Sequence, residues 1–455
     1  MQINEVVDRQ RAFFERGQTK KIAFRRHQLE MLLHAVDQYE DRILTALYND
    51  LGKRPYEGYL TEVGIVRDEI RHVVKRIGKW ARPRRVKTPY YHFPAVSTIY
   101  PEPYGSALII SPWNYPFQLA ISPLAGAIAA GNCAVVKPSE FAPHTAEAID
   151  EIIGHYFDPR FIAVVTGDVE TSKALLDEPF DYIFFTGSTQ VGRHVMAAAA
   201  KHLTPVTLEL GGKSPCIVAA DADIDSAAKK IASGKFINAG QTCIAPDYVM
   251  AHQSVKDRLL KALKDQIVEF YGTNPQKSPD YPRIINEQHF NRLTGLLSHT
   301  DIAFGGRSDR QDLYIAPTLL ETVDWDHAVM AEEIFGPILP VLAYEQLPQA
   351  IEQIRARSKP LALYVFTRDS GTQNRVIQDL SFGGGCVNDT LIHIATPYLP
   401  FGGVGASGMG RYHGKASFDT FTHEKSVMKN ISPIENPFRF PPYKKSLKLL
   451  KKVLR

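Results

Sequence analysis

Residues Asp181-Tyr182-Ile183-Phe184-Phe185-Thr186-Gly187-Ser188-Thr189-Gln190-Val191-Gly192 read as an apolar strand, a glycine turn and the first turn of a helix. A short aromatic and β-branched run closed by glycine fits a strand buried on both faces, the kind a parallel sheet needs. The same alternation extends outward from Tyr104 to Leu210. It predicts strands at 107–111, 133–137, 161–165, 181–186 and 206–210, with a small-residue helix at 119–130 closed by Gly131. Short strands separated by longer helical patterns predict an α/β fold whose parallel sheet carries helices on both faces.

Before this block, 9–51 and 62–80 carry helical patterns that pack on the same domain. Residues 83–103 differ: their Pro, Tyr and Val content predicts extended structure, a projecting hairpin. After Gly212 a second α/β region is expected, with helices near 224–238 and 255–271 and a strand at 362–366. A chain of 455 residues exceeds what one core usually supports, so two or more domains are expected.

Cys133, Cys216, Cys243 and Cys386 are far apart and form no CxxC pair, which argues against a disulfide framework or a cysteine zinc site and fits a reducing compartment. The polar, charged amino terminus lacks a secretory signal, and no run is long enough to span a bilayer, so the cytoplasm is expected. The net charge of +4 owes much to Lys444–Arg455, which holds six basic residues and no acid; the body is nearly neutral. Arg82-Pro83-Arg84-Arg85-Val86-Lys87 has no nucleic-acid module around it and reads as a solvated connector, so no nucleic-acid partner is expected.

Chemistry points to Gly240-Gln241-Thr242-Cys243, which follows Glu209-Leu210-Gly211-Gly212-Lys213 in the chain. A lone cysteine is more often a small buried hydrophobe, and a lone glutamate a cap or surface carboxylate. Together they offer a thiol nucleophile and a base for covalent catalysis through a thioester. Between Leu208 and Leu210, Glu209 is expected to be buried, which would lift its pKa toward that of a base. The turn Gly187 to Gly192 suits a phosphate facing helix amides, yet it is not GxGxxG, and on its own it reads more readily as a plain strand-to-helix connection. Gly211-Gly212-Lys213-Ser214 ends like a phosphate loop, but Thr207 stands where that motif needs glycine.

Taken in order, Pro112-Trp113-Asn114-Tyr115-Pro116, Lys137-Pro138-Ser139-Glu140, Phe185-Thr186-Gly187-Ser188, Leu208-Glu209-Leu210-Gly211-Gly212-Lys213, Gly240-Gln241-Thr242-Cys243, Glu332-Glu333-Ile334-Phe335-Gly336-Pro337, and Pro400-Phe401-Gly402-Gly403 with Ser407-Gly408 resemble the aldehyde dehydrogenase superfamily across about three hundred residues. The short amino terminus resembles the class 3 branch, whose members are typically dimers. The resemblance implies a Rossmann-like NAD(P)-binding domain at 1–82 and 101–210 and an α/β catalytic domain at 211–390. It also implies an extended oligomerisation element at 83–100 and 391–430, with a basic amphipathic tail at 431–455.

By the same resemblance, Cys243 attacks the aldehyde, the Asn114 amide and the Cys243 N–H stabilise the oxyanion, and Glu209 activates the water that hydrolyses the thioester. Lys137 and Glu140 would meet the adenosine ribose, with Gly187, Ser188, Thr189, Gln190, Val191 and Gly192 near the cofactor phosphates. Glu333 would hold the nicotinamide ribose and Phe335 line its ring. Glu140 favours NAD, because a carboxylate there repels the phosphate of NADP, whereas Lys137 welcomes it. No metal is implied.

The expected substrate is a small-molecule aldehyde that is apolar, medium- or long-chain aliphatic or aromatic, and the expected assembly a homodimer. A CoA-acylating relative, a thioesterase or esterase, and a non-catalytic binding protein on the same fold remain rivals. In the tail, Tyr443, Leu447, Leu450 and Leu454 recur at helical spacing among lysines. That pattern suits an anionic membrane surface, a cover for the substrate entrance, or docking on the body or dimer partner.

Overall fold

The structure, a computed structural model, describes residues 3–298, 300–431, 433, 439–443 and 447–453. Its first sheet has the strand order Gly408–Met409, Val206–Glu209, Tyr182–Thr186, Ser106–Ile110, Cys133–Lys137, Ile162–Val164. All neighbours pair in parallel except the short Gly408–Met409, which runs antiparallel on Val206–Glu209 and faces Gly408 to Glu209. The predicted sheet is therefore present, with one added edge strand. Its core strands are buried along their whole length, as apolar runs without alternation require.

Strand order sets where a ligand goes. Running outward from Ser106–Ile110, the chain first builds Cys133–Lys137 and Ile162–Val164 on one side, then returns to add Tyr182–Thr186 and Val206–Glu209 on the other. Loops leaving the carboxyl ends of Ser106–Ile110 and Tyr182–Thr186 diverge there and open a crevice at the point of reversal. Asn114 lies on the first of those loops and Gly187-Ser188 on the second.

The helix Gln118–Ala130 is buried at every residue, covered by Ile22–Gln38 and Gly64–Trp80. It stops at Gly131, whose φ of 97° is left-handed and leaves no room for a side chain beside the Arg25 guanidinium. The amino-terminal helical region is three helices, Ile3–Glu15, Ile22–Gln38 and Glu40–Leu51, broken at Gly17 (φ 71°) and at Tyr39.

A second sheet runs Ile302–Phe304, Thr318–Leu320, Ile338–Tyr344, Tyr248–His252, Pro215–Val218, Ala362–Phe366, Gly384–Val387, parallel save for its first strand. The expected hairpin is found as Arg84–Val86 paired with Ala95–Pro103. Its longer strand also takes Thr422–Asn430 antiparallel, in unbroken register from Pro103↔Thr422 to Ala95↔Asn430. Of the tail, the helix Leu447–Val453 and exposed Tyr443 are described, whereas Lys444, Lys445, Leu454 and Arg455 lie outside the described residues. Among the described residues no helix is long and apolar enough to cross a membrane.

Candidate active site

Cys243 is delivered by a strained turn. The helix Ile224–Phe236 ends short of the predicted 238, because Asn238 (φ 52°), Ala239 (φ 51°) and Gly240 (φ 74°) all adopt left-handed backbone. Consecutive non-glycine residues in that region are costly and persist only where surroundings hold them. Here they are held by hydrogen bonds. Gln241 Nε2 donates to the carbonyls of Asn238 and Arg283, both at 3.0 Å, and Gln241 Oε1 accepts from the Ile285 N–H at 3.0 Å. A side chain at Gly240 would collide with the Gly336 carbonyl, so glycine is required for this close approach.

Cys243 itself is half-buried. Burial, with the Glu333 and Glu209 carboxylates adding to it, pushes its thiol up to about 12, against which the N–H groups of Cys243 and Ile244 act. The resting sulfur is thus protonated at neutral pH, and attack needs a proton acceptor.

Glu209 closes the strand Val206–Glu209 between Thr186 and Gly408 and is buried. Neither carboxyl oxygen has a hydrogen-bond partner among the described residues, and burial alone raises its pKa well above the usual carboxylate range. Gly402 lies against this carboxyl: a Cβ there would stand 3.1 Å from Glu209 Oε1. An orphaned, desolvated carboxyl next to a nucleophile is the arrangement expected of a base held in reserve.

Two cavities meet at this pair. One, of about 740 Å³, lies at the reversal of strand order and is lined by Asn114, Gly187, Ser188, Thr189, Gln190, Glu333 and Phe335 together with Cys243 and Glu209. The other, of about 640 Å³, is also lined by Cys243 and Glu209. Its walls are largely apolar, including Ile65, Phe270, Leu391 and Phe401, and Leu60 and Ile392 are exposed at 56% and 60%.

The first cavity fits a dinucleotide on its own features. Ser188 caps the helix Thr189–Ala200, accepting from the Val191 N–H, so the positive end of that helix opens beside the cavity. Arg193 and Arg292 add positive charge to the wall. Phe335 holds a φ of 50° and packs edge-on to Trp113 with ring centres 5.4 Å apart. Glu333 sits against Gly211, where any side chain would displace it, and accepts from the Gly212 N–H. Burial foremost, with Asp247 adding, pushes its carboxyl up to about 8. Lys213 fixes the same loop, donating to Val329 O at 2.6 Å and Glu332 O at 2.8 Å while paired with Asp247 at 2.5 Å.

Four of the predicted cofactor residues do not line this cavity. Lys137 and Glu140 stand at the same sheet edge, one strand further along, paired at 2.9 Å with Lys137 almost fully buried. Val191 is exposed on the helix, and Gly192 gives that helix its contact with Leu210, since a Cβ there would lie 2.6 Å from Leu210 Cδ2. Sequence reasoning did not single out Arg292, His289 or Tyr115 as site residues. Tyr115, whose hydroxyl bonds Thr242 Oγ1 at 2.6 Å, at least adjoins Asn114, whereas Arg292 and His289 carried no local signal.

Residues 1–427 match the model of the Aldehyde dehydrogenase family. The chain is similar to the 4,4'-diaponeurosporen-aldehyde dehydrogenase of Staphylococcus aureus, at 54% identity over 443 residues, 97% of this chain and 96% of that protein. It is also similar to the dimeric NADP-preferring aldehyde dehydrogenase of Rattus norvegicus, at 46% identity over 442 residues, 97% of this chain and 98% of that protein. Among solved structures, a substrate-bound Staphylococcus aureus AldH superposes with a TM-score of 0.98 at 52% identity, each chain covered in full.

Proposed function

The chain belongs to the aldehyde dehydrogenase family, and on that premise we propose that it oxidises apolar aldehydes to carboxylic acids through a thioester on Cys243, with NAD or NADP as cofactor. What carries this reading is the meeting of a dinucleotide-sized cavity and an apolar one at Cys243 and Glu209. There one sulfur lies on the walls of both cavities, where an aldehyde and a hydride acceptor can meet.

Glu209 takes the thiol proton as Sγ bonds the carbonyl carbon, and the carbonyl π pair moves onto oxygen. Asn114 Nδ2 and the Cys243 N–H are the donors for that oxyanion, each of a kind that is worth roughly 3 to 4 kcal/mol in the transition state. When bound, the nicotinamide supplies the site that accepts the hydride. As the oxyanion collapses, the C–H electron pair leaves and the C=O re-forms, giving a thioester. Glu209, having released its proton to solvent, then deprotonates a water that attacks the acyl carbon. The C–S bond breaks and the sulfur regains a proton.

Glu333 holds the nicotinamide ribose and Phe335 bounds the ring, while Lys137 and Glu140 meet the adenosine ribose. Glu140 discriminates between nucleotides: Glu140→Gln removes the charge that repels a 2′-phosphate beside Lys137. The ratio of kcat/KM for NADP to that for NAD is expected to rise about tenfold, the order set by relieving a like-charge contact. An unchanged ratio would remove Glu140 from the 2′ position.

The division of labour follows the sheets, with 1–82 and 101–210 binding the nucleotide and 211–390 supplying the nucleophile. Residues 83–100 and 391–430 form the oligomerisation element of a homodimer, a reading supported by the dimeric relative. The basic tail at 431–455 contacts an anionic membrane surface as a cytoplasmic, peripheral protein, supported by exposed Tyr443 and Leu447. Substrate class is tested by a panel of aldehydes varying in chain length and aromaticity, run with both nucleotides while following nicotinamide reduction. With the apolar cavity as substrate site, kcat/KM rises with each buried methylene, by up to about fourfold per CH₂. A response flat with length refutes the apolar-aldehyde assignment.

A further inference from the structure

Beneath the loop that carries Asn114 lies a lysine with no exposure at all. Lys53 and Glu62 form an ion pair at 2.6 Å, both side chains 0% exposed. A buried pair of this kind is seldom retained for stability, since the desolvation of both charges offsets much of their attraction. Its remaining contacts show what it holds. Lys53 Nζ donates to the Asn114 carbonyl at 2.8 Å and stands 4.0 Å from the centre of the Tyr115 ring. Glu62 Oε2 accepts from the N–H groups of Phe117 and Gln118, at 2.9 and 3.2 Å, at the start of the buried helix Gln118–Ala130. The pair thus grips the loop 114–118 at both ends, one end by its carbonyl and the other by its amides.

The same carbonyl ties the loop to the nucleophile turn. Asn238 Nδ2 donates to Asn114 O at 2.8 Å and to Gln241 O at 3.1 Å, and Asn114 Nδ2 donates to that same Gln241 O at 3.1 Å. The Asn238 N–H is itself held by Glu57 Oε1 at 2.9 Å. An amide nitrogen carries two hydrogens; with one on the Gln241 carbonyl, the direction of the other is fixed.

We infer that Lys53 and Glu62 are positioning residues for the oxyanion site, holding the Asn114 peptide so that its free amide hydrogen points at the carbonyl oxygen of a substrate bound to Cys243. This rests on the reading of Asn114 as an oxyanion donor. Neither Lys53 nor Glu62 lines either of the two cavities at Cys243, so both act through the loop residues they hold, Asn114 foremost. Replacing both charges with neutral groups of similar length, Lys53→Met with Glu62→Gln, leaves an acceptor for Phe117 and Gln118 but releases the Asn114 carbonyl from its cation.

The test is a cycle of kcat/KM for aldehyde at saturating nucleotide, comparing wild type, Asn114→Ala, Lys53→Met/Glu62→Gln, and all three changes together. Asn114→Ala is expected to lose about 10²- to 10³-fold, the usual effect of one oxyanion donor. The charge-pair variant is expected to lose about tenfold or more in wild type and almost nothing further in the Asn114→Ala background. Equal losses in both backgrounds would show a structural effect on the whole site and overturn the inference. If Asn114→Ala itself loses nothing, the oxyanion reading fails first, and the inference with it. Should the charge-pair variant not accumulate as folded protein, Lys53→Met alone, which frees the Asn114 carbonyl from its cation and leaves a carboxyl that can take a proton, is carried through the same cycle and judged by the same two outcomes. Lys53→Arg, which keeps the cation, is expected to recover part of the loss.

Discussion

Cys243→Ala is expected to lower aldehyde oxidation by at least about four orders of magnitude, the scale on which removing a covalent nucleophile acts, while leaving the fold intact. Of the groups lining both cavities, the thiol is the strongest nucleophile toward carbon, ahead of the Thr186 hydroxyl and the Glu209 carboxylate. The turn that carries it is held by the hydrogen bonds of Gln241 and Asn238 rather than by the thiol. Nicotinamide reduction followed spectroscopically measures the loss, and thermal unfolding measures the fold. Turnover within a hundredfold of wild type would mean that oxidation does not pass through this sulfur. Cys133 and Cys216 are buried in the sheets, and Cys386 bonds His393 Nδ1 at 3.5 Å without lining either of these cavities, so no other thiol is placed to substitute.

Glu209→Gln separates the two halves of the reaction. With the base gone, water attacks the thioester slowly, and kcat is expected to fall by about 10²- to 10⁴-fold. A single rapid burst of nicotinamide reduction, near one equivalent per site, precedes the slow phase, because the Glu333 carboxyl, which also acts on the sulfur, can still accept its proton. The absence of a burst would show that no other group replaces Glu209 as acceptor of the thiol proton before hydride transfer. The same substitution has a second expected consequence. Glu209 is buried with no partner, and its folded pKa lies well above the unfolded one. The folded state therefore binds its proton more tightly. Stability is fully kept below the unfolded carboxylate range and is lost as pH rises toward the raised folded value. Glu209→Gln escapes that loss, so its Tm is expected to exceed wild type by about 2 °C or more at pH 8 and to converge on it near pH 4. Equal Tm values at pH 8 would show that Glu209 is solvated or paired.

The strands that build the cofactor sheet were legible because burial on both faces writes them as unbroken apolar runs between glycines and prolines. Cys133–Lys137, and Ala362–Phe366 of the second sheet, begin and end where the pattern says. Gly408–Met409 escaped notice because two residues carry no period, yet this strand forms the edge that shelters Glu209. Asn238 falls inside the predicted helix because side-chain propensity does not announce left-handed backbone imposed by tertiary hydrogen bonds. Motifs located Cys243, Glu209 and Asn114 individually. The apolar cavity had no such signature, since Leu60, Phe270, Ile392 and Tyr412 come together only through folding. The buried pair of Lys53 and Glu62 was equally silent: nine residues apart, they look like any solvated lysine and glutamate until the structure removes their water.

The covalent thioester is tested most directly by quenching Glu209→Gln after it has reacted with an aldehyde and nucleotide, then mapping the mass of its peptides. The account predicts one acyl group on the peptide containing Cys243, adding the aldehyde's mass less one hydride and one proton. Unmodified Cys243 in protein that has already reduced one equivalent of nucleotide, or the acyl group on another residue, would contradict it.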